Sequence, residues 1–243
     1  MMRNFRVMLL APLMVLALAA TASAQADGFY LTPKFGYSHL KSSTDSNILN
    51  SDGTLYRHLP TNGKHSGGQP VLALALGYDF NSIYDVPIRT EFEYAWRGKS
   101  EKFNKMFNVP ELGEHVEIGR AGAHSFFFNG YLDFHNDSPV TPYIGAGLGF
   151  AVASIDHTLA GANLRGNVKK TDTNFAWNVG GGAAWNITDK VALDLGYRYA
   201  DFGNVSHSRV IAGPAHEPIP NAIYDVKSDL TTHEVLLGVR IGF

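Results

Sequence analysis

Val235-Leu236-Leu237-Gly238-Val239-Arg240-Ile241-Gly242-Phe243 ends the chain, with Val235, Leu237, Val239, Ile241 and Phe243 at every second position and Glu234, Gly238, Arg240 and Gly242 interleaved. Successive side chains of a strand point to opposite faces, so this segment has one oily face and one that carries charge. An alternation of that length, finishing on an aromatic residue, is what a wall strand between lipid and a polar lumen requires.

The opposite end of the chain agrees. Arg3 and Arg6 precede an apolar run from Val7 to Ala20, and Ala22-Ser23-Ala24 supplies the small residues of a signal-peptidase site. Residues 1–24 therefore read as an export signal and 25–243 as the mature outer-membrane β-barrel domain, with an alternative cut after Ala26. The run of 14 apolar residues is shorter than the ~20 that a spanning helix needs. Nothing after Ala24 has that character, so further membrane insertion must use strands.

Composition narrows the function. A mature chain of about 219 residues is long enough for one domain. Without Arg3 and Arg6, 18 basic side chains face 22 acidic ones, a formal charge of about −4, which argues against a nucleic-acid partner. The absence of cysteine excludes disulfides, thiol catalysis and a lipid-modified cysteine.

Eight segments alternate, and the links between them are by turns long and short. The first runs from about Phe29 to Leu40, where Pro33 weakens the reading. The second spans Gln69 to Phe80, with Leu72, Leu74, Leu76, Tyr78 and Phe80 outward. The third carries the clearest signal: Ile88, Thr90, Phe92, Tyr94 and Trp96 alternate with Arg89, Glu91, Glu93 and Arg97. The fourth (Ala123 to Phe134) turns through His135-Asn136-Asp137-Ser138-Pro139 into the fifth, which begins near Thr141 and repeats glycine at Gly145, Gly147 and Gly149. The sixth runs from Phe175 to Asn186, with Gly180 and Gly182 inward, and a turn at Ile187-Thr188-Asp189-Lys190 leads to the seventh from Val191 to Tyr199. The terminal segment is the eighth. Glycines on inward faces make room for large side chains arriving across a narrow barrel. No helix-forming pattern follows them, so they do not form a phosphate loop. The fold expected is all-β: an eight-stranded antiparallel up-and-down transmembrane β-barrel.

Short links then become periplasmic turns. The long ones, about 41–68, 98–122, 154–172 and 204–228, become external loops, whose mixed, Gly-, Asn- and Ser-rich composition favours partial disorder. Tyr78, Phe80, Tyr94, Trp96, Phe134, Trp177, Trp185 and Tyr199 suit interfacial aromatic girdles. The inward faces carry Lys34, Arg89, Arg97, Arg198 and Arg240 against Asp79, Glu91, Glu93, Asp133, Asp194 and Glu234. Unpaired charges in so confined a space are costly, and eight strands enclose only enough room for side chains to fill. A lumen plugged by salt bridges follows from this, with a narrow ion path as the alternative.

Pro142 to Gly149, Leu193 to Gly203 and Gly238 to Phe243 carry a family resemblance. In these motifs, and in organisation over essentially the whole mature chain, the sequence resembles the opacity-type small outer-membrane β-barrel and surface-antigen family. That resemblance implies external loops that are variable, antigenic and sometimes adhesive. It also implies that Val239, Ile241 and Phe243 form a C-terminal signal engaged by the barrel-assembly machinery. The family offers no catalytic residues to carry over.

Other constellations are weaker. Ser206-His207-Ser208 places hydroxyls beside a histidine in sequence, which is not a nucleophile and base in space. His58, His65, His115, His157, His207 and His216 lack paired ligand spacing on a regular element, so no metal or cofactor is expected. Arg57, Lys64, Lys102, Lys105, Arg165, Lys169 and Lys170 could meet lipopolysaccharide phosphates or anionic glycans, but Glu101, Glu111, Glu114 and Glu117 offset them. The function expected is that of a non-enzymatic outer-membrane protein with outer-membrane lipid and lipopolysaccharide around its wall and a host or envelope ligand at its loops. The alternatives are a small porin-like channel and a loop-borne enzyme acting on outer-leaflet lipid.

Overall fold

Period-2 patterning resolves into ten antiparallel strands in the computed structural model, which describes residues 27–58, 63–100, 103–109, 113–161, 165–210 and 223–243. The expected export signal lies outside the described residues. The strands are β1 (Phe29–Leu49), β2 (Leu55–His58), β3 (Gly63–Asp79), β4 (Ile88–Arg97), β5 (Phe103–Val109), β6 (Gly113–Asp133), β7 (Val140–Gly161), β8 (Arg165–Thr188), β9 (Val191–Val210) and β10 (Ile223–Gly242). Among the described residues no helix is long and apolar enough to cross a membrane; the one helix, α1 (Asn81–Tyr84), is a single turn.

Eight strands make the wall. β1, β3, β4, β6, β7, β8, β9 and β10 pair in chain order, and β10 returns to β1 to close the ring. β2 folds back on the end of β1, and β5 on β6. Closure leaves the wall without an unpaired edge, which hydrocarbon would not tolerate. Pro33 fits because it pairs with Leu74 on the β3 side, while the β1–β10 ladder passes from Leu31–Ile241 to Lys34–Gly238 without a rung at Pro33. A proline has no N–H to give there.

Three tight connections share one end. β3 and β4 join through α1, where Asp79 Oδ1 accepts the Asn81 N–H at 2.9 Å. β6 and β7 join through Asn136 and Ser138, whose side chains bond Val140 O. β8 runs two residues further than the sequence suggests, leaving only Asp189-Lys190 as the turn into β9. The chain's two described ends meet at this rim, where Phe243 N–H donates to Phe29 O at 3.1 Å.

The outer belt is as oily as the alternation requires: Leu76, Phe92, Phe128, Leu148, Phe175 and Leu195 are each more than half exposed. An exposed apolar band of this kind on a closed barrel faces lipid.

The long links differ from expectation. The described residues of segments 41–68, 98–122, 154–172 and 204–228 are mostly strand, not loop: β9 alone has 20 residues, about twice the ~9–11 that cross hydrocarbon. The ladder continues past the membrane while the polarity of its two faces inverts. On β10, Asp225, Lys227 and Asp229 take the outward parity that Val235, Leu237 and Val239 hold lower down, and Tyr224, Val226 and Leu230 turn inward, each at most 1% exposed. Leu40, Ile48, Phe127, Ile155, Phe202 and Val205 join these three in one buried cluster. Sequence reading for an oily outer face necessarily stops where that face becomes polar. A bulge at Gly203, φ +69°, lets β9 keep its inward parity from Phe202 to Val205.

Candidate functional site

Beneath the apolar cluster, at the level of the lipid belt, the lumen is filled by paired charge. Lys34 Nζ lies 2.6 Å from Glu91 and 2.8 Å from Glu93. Arg89 reaches Asp133 at 2.5 Å and Glu91 at 3.5 Å. Arg97 meets Glu234 through Nε at 2.5 Å and Nη2 at 3.1 Å. Arg198 spans Glu93 at 2.5 Å and Glu234 at 2.7 Å, and Arg240 lies 2.6 Å from Asp194. These contacts follow from the strands: β4 supplies four members on alternate residues (Arg89, Glu91, Glu93, Arg97), while β1, β6, β9 and β10 supply the partners across the ring.

Ten of the eleven inward charges read from the sequence thus come together. The eleventh, Asp79, does not; it sits at the periplasmic end of β3 and is used by the α1 turn. With it removed from the count, five cations face five carboxylates, and the described network is charge-balanced. Balance matters because a buried ion without a partner costs several kcal/mol, on the order of 3–5 when a pair is broken.

The sequence reading missed the aromatic and hydroxyl groups that complete the network. Tyr143 O–H donates to Asp194 at 2.5 Å, and Tyr30 and Tyr131 donate to Glu91 at 3.1 and 3.3 Å. Rings also cover the guanidinium groups: Arg89 Cζ is 4.6 Å from the Tyr131 centroid and 5.0 Å from that of Tyr143, and Arg97 Cζ is 4.6 Å from Phe202. Their inward parity was available as a signal. Asn178 Nδ2 donates to Asn129 at 2.9 Å between the charged layer and the apolar one. The glycine stripe lets these groups in, since a Cβ at Gly147 would collide with Asn129 Oδ1 and one at Gly149 with the Phe126 carbonyl oxygen. What space remains beside Lys34, Asn178, Asp194 and Arg198 is a cavity of about 40 Å³, enough for about three waters.

Among the described residues the weaker constellations do not assemble; His216 lies outside those residues. Ser208 O–H donates to Asp225 Oδ1 at 2.5 Å, so a carboxylate holds this hydroxyl. His58 bonds Asn47 at 2.7 Å, and His157 is buried in the upper barrel. Among the described residues no group of three or more His, Asp or Glu side chains is placed to hold a metal. At the tip of the β1–β2 hairpin, the Thr54 hydroxyl and N–H donate to Asp52, which holds its carboxyl below the usual carboxylate range.

A closed meander of eight strands with an oily belt, a charged interior, tight turns at one end and long extensions at the other is an integral β-barrel of the bacterial outer membrane. The chain belongs to the outer membrane protein beta-barrel domain family, whose profile matches residues 8–243. It is 31% identical over 252 residues to the outer membrane protein PagN of Salmonella typhimurium, covering 100% of both chains. A putative adhesin of Rickettsia massiliae is 26% identical over 144 residues, 59% of this chain and 62% of that one. Among solved structures, the outer membrane protein OprG of Pseudomonas aeruginosa superposes with a TM-score of 0.54 at 16% identity, over 89% of this chain and 98% of that one. That likeness concerns the fold alone.

Proposed function

We propose that this outer-membrane barrel is a surface-interaction protein, with a sealed lumen and with external strand tips that present an adhesive or antigenic surface to a host or envelope ligand. The observation that carries the reading is the lumen itself. A balanced ion-pair layer lies below a buried apolar cluster; openings of about 370 and 360 Å³ at the periplasmic rim reach Arg240 and Asp133, and above them the cavity beside Lys34 and Arg198 is only about 40 Å³, far from a continuous water path. A channel would need that path, so this geometry weighs against the porin-like reading. The putative adhesin among the relatives supports the role of the tips. No catalytic role is assigned to any residue. Val239, Ile241 and Phe243 are read as the signal for the barrel-assembly machinery, and outer-membrane lipid and lipopolysaccharide as the surroundings of the wall.

The test has two arms. Mature protein refolded into planar bilayers is expected to give no steady conductance, and Arg89→Ala/Arg198→Ala is expected to admit ions; steady openings in the wild type would overturn the sealed-lumen reading. Cells displaying the full chain are expected to adhere to host cells more than cells whose residues 51–54 and 211–222 are replaced by Gly-Ser linkers. Equal adhesion would remove these two segments from the function.

A further inference from the structure

One side of the outer wall carries a lysine and two histidines close together in height. On β1 the last outward aromatic is Tyr37, and the next two outward residues are His39 and Lys41, both exposed. His39 faces His233 across the β1–β10 ladder, and His233 is the first outward residue above Val235. The three are tied into one patch: Lys41 Nζ lies 3.2 Å from His233 Nε2, and the Tyr197 hydroxyl lies 2.6 Å from His233 Nδ1. Tyr199 closes the side, its ring centroid 5.3 Å from that of His233.

The height of the patch is set by the tyrosines. Tyr37 and Tyr197 are 58% and 51% exposed, with rings on the lipid-facing parity and hydroxyls at the level of His39 and His233; the Tyr37 ring lies over Gly68, the β3 partner of His39. Amphipathic rings take this posture where hydrocarbon gives way to headgroups. Lys41 stands two residues above His39, about 7 Å along the strand, which is the depth of a headgroup. Only one of its three N–H donors is used by His233. Across the barrel, the outward His124 on β6 stands alone beside the Tyr94 hydroxyl at 2.8 Å, with no lysine at the next outward position, Gly122, and the first outward positions above the oily band on β7 and β8, Ser154 and Thr173, carry no charge. The acids nearest on the same face are Asp201 on β9, separated from Lys41 on the same rung by Thr231, and Asp229 on β10, at the next outward position above; Asp201 is engaged by the Gly203 N–H at 2.8 Å.

We propose that His39, Lys41 and His233 form a docking site for the phosphorylated headgroup of an outer-leaflet glycolipid such as lipopolysaccharide, with the Tyr37 and Tyr197 rings against its acyl chains. A phosphate offers acceptors to the free Lys41 ammonium N–H groups and to the His39 imidazole in a single charge-assisted cluster, while His233 holds Lys41 in place. The lipid's acyl chains continue down an apolar wall that is already there. The site is independent of what the tips bind.

The test is native mass spectrometry of the full mature protein released from detergent in the presence of diphosphorylated lipid A or its dephosphorylated counterpart. Wild type is expected to retain one phosphorylated lipid and to hold the dephosphorylated one at least about tenfold more weakly, the scale of one lost charge-assisted contact. Lys41→Gln/His233→Gln is expected to bring the phosphorylated lipid down to that level, and Lys41→Arg to keep it. His39→Gln/Lys41→Gln leaves the Tyr197–His233 bond intact and decides the question if the first double variant does not fold. Equal binding of the two lipids by wild type, or undiminished binding of the phosphorylated lipid by a folded double variant, would overturn the proposal. Either result would leave the sealed-lumen reading standing, because conductance tests that separately.

Discussion

Replacing Glu234 with glutamine should cost the barrel more than replacing the arginine opposite it. Glu234 is fully buried and carries two cations at once, Arg97 through two contacts and Arg198 through Nε at 3.0 Å and Nη2 at 2.7 Å. After Glu234→Gln, Arg198 keeps Glu93, but Arg97 is left with the Ser125 hydroxyl at 2.8 Å and the Phe202 ring. An uncompensated buried charge costs about 3–5 kcal/mol, and that is the predicted loss. Arg97→Met leaves Glu234 still held by Arg198, so it should cost less, on the order of the 1–3 kcal/mol of a lost charged hydrogen bond. The double variant Arg97→Met/Glu234→Gln removes one charge of each sign and should be more stable than Glu234→Gln alone. Urea unfolding in phospholipid vesicles, followed by tryptophan fluorescence and by electrophoretic mobility with and without heating, reads all three, provided that the denaturant slope is unchanged. A Glu234→Gln loss below about 1 kcal/mol, or a double variant less stable than that single one, would refute the charge-balance argument.

Three further outcomes follow from the wall. Leu195→Arg, on the lipid face, should cost about 2–4 kcal/mol, whereas Ser43→Arg, outward above the membrane, should stay within about 0.5 kcal/mol of wild type; unfolding in vesicles compares them. Gly149→Ala should destabilise by about 1–3 kcal/mol because its methyl meets the Phe126 carbonyl, and Gly130→Ala should be close to neutral because its methyl would meet no atom within 4 Å. Phe202→Ala should cost about 3–5 kcal/mol, and hydrogen exchange should show protection lost in β9 and β10 above Gly203 while the lipid-embedded rungs stay protected.

The membrane-embedded half of the fold was legible because lipid and lumen impose opposite polarities on alternate residues, and β4 and the end of β10 record that contrast almost without interruption. The ion-pair layer was legible for the same reason: inward parity sufficed to select Arg89, Glu93 and Arg198, although which carboxylate each would meet depends on the stagger of the ring. Asp79 was misjudged because parity does not report height, and at the end of a strand an inward acid can serve the turn. The upper barrel was unreadable by that rule. Above the lipid the outer face meets water, so Asp225, Lys227 and Asp229 look like a loop, and the apolar residues between them are too sparse to signal a core until eight strands bring them together. Tyr30, Tyr131 and Tyr143 share the inward parity of Lys34, Asp133 and Gly145, but parity does not mark them as partners, since an inward phenol is equally compatible with plain packing.

The long ladder between β9 and β10, from Ile241–Val191 up to Ile223–Val210 with one bulge between Asp229 and Thr231, also determines how the molecule would bear tension. A pull on a tip runs along the strands, so it loads the rungs in shear, and many hydrogen bonds must yield together. The weak direction, peeling one strand from its neighbour rung by rung, is closed off because every wall strand is flanked on both sides around the ring. A tip held from outside would therefore transmit force into the membrane-embedded wall with little extension, behaving as a stiff mast and not as a tether.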